Sequence, residues 1–370
     1  EIFSDLCSKN TEQNFSYICT MKTEQLNRFK SLLSVPSKTY KEEKIVEYIC
    51  SEIDNMSGVS FYRDDLQNIY ITKGELMDGE FYPMFIAHTD TVHEMVPEIV
   101  VKEERSSKPF TYGKTFDSTE FDILKAYTPS GQPTGIGGDD KAGVFIALEL
   151  LRILPKVKIG LFVSEETGCH GSQRCDVDFL KDVGYAVQFD APGDHLITRI
   201  CWGVKLYDDD GEFIKIAKST FETWMDTVAS EQTHPYTDVS QIKQKGDFSC
   251  INFSCGYYNM HSNQEFVVLQ DVENSIWMAE DLVNKLGYKK YEYIYKAYKY
   301  DWKSYNSLSD IDEDEQEYVE DESTIVVGDN ILTFDSIGLS IKDKISDDLI
   351  FFDGDQIQDL FEVLKKHLDY

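Results

Sequence analysis

Two histidines and several carboxylates stand in this chain at the ends of apolar runs or at the start of a helix. The candidate metal ligands are His88 in FIAHTD, Asp139 in GIGGDDKAG, Glu166 in LFVSEETG, Asp190 in VQFDA and His261 in NMHSNQE. Two imidazoles and three carboxylates suit a pair of zinc ions, because zinc accepts both donor types at about 2.0–2.2 Å. Two such ions can together activate a water and stabilise a tetrahedral oxyanion. Glu165, adjacent to Glu166, is placed to be the base that deprotonates the water.

The elements that must position these residues are short buried strands. YPMFIA, VKIGLFV and YAVQF are of strand length, are rich in β-branched and aromatic residues, and each leads into a His, Glu or Asp. A buried strand has no structural reason to end so regularly in candidate ligands. In open α/β sheets, sites assemble beyond the carboxyl ends of the strands, so three strand ends and one helix start are expected to bring the ligands together.

The rest of the pattern alternates strands with helices. Helical spacing covers residues 22–34 and 40–55, VSFYRDD and NIYITKG read as a hairpin, and KAGVFIALELLRILP reads as a helix ended by Pro155. ITRICWGVKLY reads as one strand, GEFIKIAKSTFETWMDTVA as a helix, and DVENSIWMAEDLVNKLG as a helix closed by Gly287. Residues 95–134 look irregular, with strand-like stretches. This alternation predicts an α/β fold with a doubly wound, mostly parallel sheet between helices.

Composition excludes several function classes. A formal net charge of −31 argues against nucleic acid as a partner and against anionic membranes. No apolar run approaches the roughly 18 residues of a membrane span. The eight cysteines form no CxxC pair and no regular framework, which favours free thiols and a cytoplasmic location.

The chain is expected to have three parts. Residues 1–20 read as an amino-terminal extension, 21–288 as the catalytic domain, and 289–370 as a small carboxyl-terminal appendage. The appendage begins with Tyr- and Lys-rich sequence and includes an acidic segment, 310–322, which is expected to be solvated and protease-sensitive.

Five motifs in order resemble one family. AHTDTV, GGDDKAG, SEETGCHGS, TDVSQIK and NMHSNQEFV are similar to the ordered elements of the co-catalytic zinc exopeptidases, the group that contains peptidase T, carboxypeptidase G, succinyl-diaminopimelate desuccinylase and related zinc aminopeptidases. The resemblance covers roughly residues 22–288. One departure is the spacing of Asp190 and His261, which is 261 − 190 = 71 residues and leaves no room for the lid domain of peptidase T.

The resemblance implies a role for each site residue. His88 and Asp190 would bind one metal, His261 and Glu166 the other, and Asp139 would bridge both. Asp90 would orient the His88 imidazole, and Glu165 would be general base and then general acid. The peptide bond between Asp139 and Asp140 would be cis, with Asp140 structural.

The function expected from this reading is a di-zinc metallopeptidase that cleaves small peptides, most simply an aminopeptidase. Cobalt and manganese are alternative metals. The main alternative function is an amidohydrolase for N-acyl amino acids, and a third is an inactive binding protein on the same fold. The oligomeric state stays open. His93, His170, His195, His234 and His367 match no motif and are interpreted as ordinary surface or core histidines.

Overall fold

Buried strands of the expected lengths form the centre of the molecule. The computed structural model describes residues 21–54, 56–106, 120–234 and 236–295, and the backbone of four further strands between residues 323 and 353. The predicted extension 1–20 and the acidic segment 310–322 lie outside the described residues, so those interpretations stay predictions. The chain divides into two compact units, Glu1–Ala297 and Tyr298–Tyr370.

The first unit contains most of the helices and strands. Its helices are α1 Thr23–Leu33, α2 Glu43–Ile53, α3 Gly138–Ile153, α4 His170–Gln173, α5 Glu212–Met225, α6 Asp238–Lys245 and α7 Leu269–Leu286. Its strands are β1 Val59–Arg63, β2 Ile69–Lys73, β3 Tyr82–His88, β4 Val100–Ser106, β5 Phe121–Tyr127, β6 Pro133–Thr134, β7 Val157–Phe162, β8 Val183–Ala191, β9 Leu196–Cys201, β10 Val204–Lys205, β11 Ser230–His234, β12 Ser249–Ser254, β13 Tyr257–Tyr258 and β14 Phe266–Val268. A short 3₁₀ helix covers Val177–Leu180.

A nine-stranded mixed sheet organises this unit. Its strand order is β1-β2-β7-β3-β8-β12-β9-β10, and β11 pairs with β9. The four central strands, β7, β3, β8 and β12, are mutually parallel, whereas β1 and β2 form the predicted antiparallel hairpin at one edge. Every residue of those four central strands is buried, which explains why they read as continuous apolar runs rather than alternating ones.

Helix α3 packs against the centre of this sheet. It is buried from Gly138 to Leu151 and contacts β3, β7 and β8, as well as α1 and α7. A helix that is apolar on most of its faces must lie inside the protein, and this one does. The α/β prediction is therefore confirmed: a mostly parallel central sheet is packed against helices.

The irregular stretch near residues 95–134 contributes to a second sheet. Strands β4, β5 and β6 form it together with β13 and β14, and all the pairs are antiparallel. Strand β14 pairs with β5 in the register Val267↔Leu124. Two segments far apart in sequence thus form one sheet, which lies beside the amino-terminal end of α3.

The segment between Asp190 and His261 differs from its prediction in one detail. ITRICWGVKLY is not one strand but the hairpin β9–β10, turned at Trp202 and Gly203, which both have positive φ. Gly203 accommodates that conformation freely because it has no Cβ. The described residues of this segment contain no inserted lid domain, as the spacing predicted.

The first unit extends past residue 288. The Tyr291 side chain is buried, its N–H donates to the carbonyl of Gly184, and its carbonyl accepts from Ser249. The second unit holds an antiparallel meander of β15 Ser323–Val327, β16 Asn330–Phe334, β17 Gly338–Asp343 and β18 Leu349–Asp353. A dispensable appendage after residue 288 stays a prediction, but residues just after 288 pack on the first unit.

Two further findings bear on the environment of the protein. No helix in the described part of the chain is long and apolar enough to cross a membrane. Six cysteines in that part carry free thiols: Cys50, Cys169, Cys175, Cys201, Cys250 and Cys255.

Candidate metal centre

The ends of three adjacent parallel strands supply four of the candidate residues. Strand β3 ends at His88, and Asp190 is the next-to-last residue of β8. Strand β7, which lies on the other side of β3, ends at Phe162 and leads through a short turn to Glu165 and Glu166. The strand-end prediction therefore holds, and the side chains meet at the carboxyl edge of the sheet.

The remaining two ligand candidates come from a helix start and a loop. Asp139 stands at the first turn of α3, after Gly137 in a left-handed turn, and the Asp139–Asp140 peptide bond is cis. His261 lies in the turn between β13 and β14 with φ of +60°. The second sheet thus brings His261 to the edge of the first.

Asp139 lies between the two histidines. Its Oδ1 is 3.2 Å from His88 Nε2, and its Oδ2 is 3.3 Å from His261 Nε2. His88 Nε2 is also 3.6 Å from Asp190 Oδ1, and His261 Nε2 is 3.2 Å from Glu166 Oε2. The Asp139 carboxylate therefore directs one oxygen at each imidazole.

The His88 ring is oriented by contacts at its Nδ1 atom. Its Nδ1 is 3.1 Å from the backbone carbonyl oxygen of Asp90 and 3.5 Å from the Asp90 carboxylate. A carbonyl can only accept, so Nδ1 carries the proton and Nε2 is left for a metal. The Asp90 carboxylate accepts from the N–H groups of Glu165 at 2.9 Å and Glu166 at 3.2 Å, and from the Thr39 hydroxyl at 2.9 Å. Asp90 therefore connects β3 to the turn after β7.

Asp190 is held by partners that the sequence did not reveal. The Thr237 hydroxyl at 2.6 Å and the Gln188 amide at 3.1 Å donate to Oδ2, while the Tyr257 hydroxyl at 3.3 Å donates to Oδ1. Thr237 immediately precedes α6 in the TDVSQIK motif, which was the only available signal. Such supporting hydrogen bonds fix the direction in which a carboxylate presents its lone pairs.

Glu265 braces the turn that carries Asp139. It is buried, and its Oε1 accepts from the Asp139 N–H at 3.0 Å. Its Oε2 accepts from the Gly137 N–H at 2.9 Å and from His93 Nε2 at 2.6 Å. Because Glu265 belongs to the same loop as His261, it ties that loop to the helix start. Sequence reasoning passed over both Glu265 and His93, although NMHSNQE contains the glutamate.

Glu165 lies deeper than Glu166. Its Oε2 is 3.8 Å from His88 Nε2, and its Oε1 is 3.7 Å from the Cys169 thiol. Asp238, on the first turn of α6, is a further buried carboxylate that accepts a hydrogen bond from Ser172. Asp140 accepts from the His88 N–H at 3.2 Å and from the Gly143 N–H at 3.0 Å, a supporting role as expected.

This concentration of buried acids changes proton affinities. Burial, together with Asp139, raises the pKa of Glu166 to about 7. Burial also raises the pKa of Glu165 well above its usual range, with further contributions from Asp190 and Glu166. Burial opposes the charge on His88, but Glu165, Asp190 and Asp139 outweigh it and raise that pKa. Hydrogen bonds with Asp139 and Glu166 raise the pKa of His261 to about 10. A site that must hold extra protons without a cation is a candidate for cation binding.

The donor set fits divalent metal ions. Two groups of side chains have ligand atoms within 4.8 Å of one another, namely His88 with Glu165 and Asp190, and His88 with Asp139 and Glu166. Buried Oε1 of Glu166 has no hydrogen-bond partner among the described residues, so it is free to coordinate. Imidazole and carboxylate together suit zinc and similar transition metals.

The remaining described histidines do not join the cluster. His195 contacts Asp194 at 3.2 Å, and His234 Nδ1 donates to the carbonyl of Tyr236 at 2.9 Å. His170 is exposed at the start of α4. His367 lies outside the described residues.

Three solved structures that share this fold are described as peptidases. The aminopeptidase PepT from Bacillus cereus aligns over 72% of this chain and 99% of its own, with 15% identity and a TM-score of 0.57. A tripeptidase from Staphylococcus aureus aligns over 71% and 97%, with 15% identity and a TM-score of 0.54. An aminopeptidase from the archaeon Desulfurococcus kamchatkensis aligns over 71% and 95%, with 15% identity and a TM-score of 0.52. The sequence matches no protein-family model and no curated protein.

These similarities establish the fold, which this chain shares with solved aminopeptidases and a tripeptidase. At this identity they do not transfer an activity. The chemistry of this chain depends on its own cluster of His, Asp and Glu side chains.

Proposed function

We propose that this protein is a metal-dependent peptidase that hydrolyses small peptides from the amino terminus, with two zinc ions as its cofactors. The single observation that carries the proposal is the position of Asp139, with one oxygen directed at His88 and the other at His261. Peptidases in several organisms share the fold, which supports the substrate class.

The ligands divide into two sets around Asp139. His88 and Asp190 would hold one ion, and His261 and Glu166 the other. When bound, the two ions would polarise the scissile carbonyl and lower the pKa of a water molecule. Asp90, Thr237 and Glu265 act on the ligands rather than on the substrate, because each hydrogen-bonds to a ligand or to its backbone.

Glu165 is the proposed proton carrier. Its carboxylate lies buried beside the ligands, where burial raises its pKa in the metal-free protein and bound cations would lower it again, so that it could serve as a base. As general base it takes one proton from the attacking water, and the C–O bond forms at the carbonyl carbon. As general acid it then gives that proton to the nitrogen of the leaving amine as the C–N bond breaks. Water and the amide thereby become a carboxylic acid and an amine.

Replacing Glu165 with Gln tests this assignment. Glutamine keeps the size of the side chain but cannot accept a proton, so kcat should fall by about 10²–10⁴-fold while both metals stay bound. Elemental analysis would measure the metal content, and hydrolysis would be followed on a panel of aminoacyl amides, small peptides and N-acyl amino acids. Glu75→Gln, at an exposed residue between β2 and β3, is the matched control.

Three outcomes would contradict the proposal. A Glu165→Gln enzyme with nearly unchanged kcat would show that Glu165 is not the base. If the protein holds no metal after loading with zinc, the cluster is not a metal centre. Hydrolysis confined to the N-acyl amino acids would favour the deacylase.

A further inference from the structure

Three exposed apolar side chains lie beside the candidate metal centre. They are Tyr40, Trp202 and Met260, here called the apolar rim, with exposed fractions of 64%, 39% and 41%. Single exposed hydrophobic residues are common on protein surfaces and need no explanation. Here, however, each one is connected to a candidate ligand through one residue or less.

Trp202 has the most specific setting. It occupies the β9–β10 turn with φ of +50°, a conformation that bulky residues rarely adopt. The backbone N–H of Trp202 donates to the backbone carbonyl of His234 at 3.1 Å, and the centroid of the Trp202 ring lies 5.9 Å from that of the Tyr236 ring. The Tyr236 hydroxyl in turn donates to the backbone carbonyl of Glu166 at 3.1 Å. Tyr236 therefore lies directly between the exposed indole and a candidate metal ligand.

The other two members of the rim are attached in similar ways. The Tyr40 hydroxyl is 2.9 Å from the Thr167 hydroxyl, and Thr167 follows Glu166. Tyr40 also has a positive φ, of 65°. Met260 directly precedes His261. The rim is thus connected to the half of the centre that contains His261 and Glu166.

Charge limits which substrate side chains this mouth would accept. Five carboxylates, Asp139, Glu165, Glu166, Asp190 and Asp238, lie in or beside the site. An acidic substrate side chain beside them would add a further negative charge. Binding pockets are mostly lined by apolar and aromatic side chains with a few polar groups, which matches an aromatic pair beside a metal centre.

We infer that the apolar rim selects substrates whose amino-terminal residue carries a large apolar or aromatic side chain, and that Trp202, backed by Tyr236, is the main contact surface. This inference rests on the proposed peptidase function. The occupant of the rim is the side chain of the substrate's amino-terminal residue. The carbonyl carbon of that residue is attacked by water, so the residue lies next to the metal ligands during hydrolysis.

The test compares Trp202→Ala with the wild type on the p-nitroanilides of phenylalanine, leucine, alanine and glutamate. Loss of an apolar contact should lower kcat/KM for the phenylalanine and leucine substrates by about 10–100-fold and leave the alanine substrate within about threefold. Trp202→Phe should recover much of the difference. Met77→Ala is the control, because Met77 is exposed but precedes β3, at the edge of the sheet opposite His88.

A binding measurement separates this inference from the proposed function. Calorimetric titration of the metal-loaded full chain with L-phenylalanine and with L-alanine requires no turnover. Tighter binding of phenylalanine, lost in Trp202→Ala, would support the rim. Equal affinities, or an equal loss for all four p-nitroanilides, would overturn it. Failure of the wild type to cleave any substrate, with phenylalanine still preferred in binding, would overturn the peptidase function alone.

Discussion

The two halves of the candidate metal centre differ in how firmly the protein holds them. His88 is 1% exposed, its ring is oriented by Asp90, and its neighbour Asp190 accepts three side-chain hydrogen bonds. His261 is 48% exposed, and its partner Glu166 keeps one carboxylate oxygen without a hydrogen-bond partner among the described residues. The first half is built like a protein core, whereas in the second the His261 imidazole is half exposed and only the Glu166 side chain is buried.

This difference suggests a division of labour. A buried, fully hydrogen-bonded half fixes the position of one ion before substrate arrives, which favours precise geometry. An exposed half with unused ligand capacity lets substrate approach and lets an ion exchange. The half near the apolar rim is the open one, so substrate recognition and the weaker metal site should coincide.

Removing each histidine in turn gives the largest expected contrast. In metal-free protein, His88→Ala leaves Asp139, Asp190 and Glu165 without their buried cation, and should cost about 3–5 kcal/mol of stability. His261→Ala removes a half-exposed group whose ion pairs are screened by solvent, and should cost about 1 kcal/mol or less. Urea unfolding of both variants, with exposed His170→Ala as control, measures the difference. Equal losses would show that the two halves are held alike.

Metal content should follow the same division. His261→Ala is expected to retain one ion, since His88, Asp139 and Asp190 remain, whereas His88→Ala should weaken both. Elemental analysis after dialysis would count the ions. Retention of two ions by His88→Ala would contradict the assignment of His88.

Glu265→Gln tests the bridge between the halves. Glu265 uses two oxygens to accept from three donors, and glutamine offers only one oxygen, so one backbone N–H would lose its acceptor at a cost of about 1–3 kcal/mol. Metal affinity should fall about 10–100-fold because Asp139 loses its support. Glu273→Gln, at another buried glutamate on α7, is the matched control. Unchanged metal affinity in Glu265→Gln would remove the bracing role.

The smallest effect concerns pH. Protons on Glu166, with a pKa of about 7, and on His261, with a pKa of about 10, must leave before an ion binds. Metal affinity should therefore rise with pH across this window, most strongly at the His261 half. The stability that His261 gives the metal-free protein has the opposite sign: its raised pKa makes that contribution complete below pH 6.5, and it disappears as pH rises through about 10.

Calorimetry of cobalt binding at pH 6.5 and 8.5, in buffers of different ionisation enthalpy, would count the released protons. An affinity independent of pH would show that these groups are not ligands. A pH dependence that persists unchanged in His261→Ala would show that His261 is not among the titrating groups.

The local part of this structure could be predicted from sequence, and the long-range part could not. Each of His88, Glu165 and Asp190 follows its own apolar run, so chain order and strand ends sufficed to bring them together. Glu265 was assigned no role and His93 was interpreted as an ordinary histidine, because their contact depends on β14 pairing with β5, a register that no local pattern encodes. The boundary at residue 288 was predicted because Gly287 closes a helix, and that prediction rests on a local signal, whereas the packing of Tyr291 on the first unit is a long-range contact.

Trp202 illustrates a different limit. Its sequence context reads as a continuous strand because Arg, Ile, Cys and Val surround it, and only the following glycine indicates a turn. The turn exists because Trp202 itself adopts a positive φ, which residue propensities would not predict.

Asp90 makes two distant parts of the chain dependent on one another. Its two carboxylate oxygens accept hydrogen bonds from the backbone N–H groups of Glu165 and Glu166. Its own backbone carbonyl accepts from Nδ1 of His88. A substitution in β3 that shifts Asp90 would therefore displace the proposed base and a proposed ligand by related amounts. Mutations in these two segments should show strong epistasis, and an evolving lineage would have to change them together or keep both.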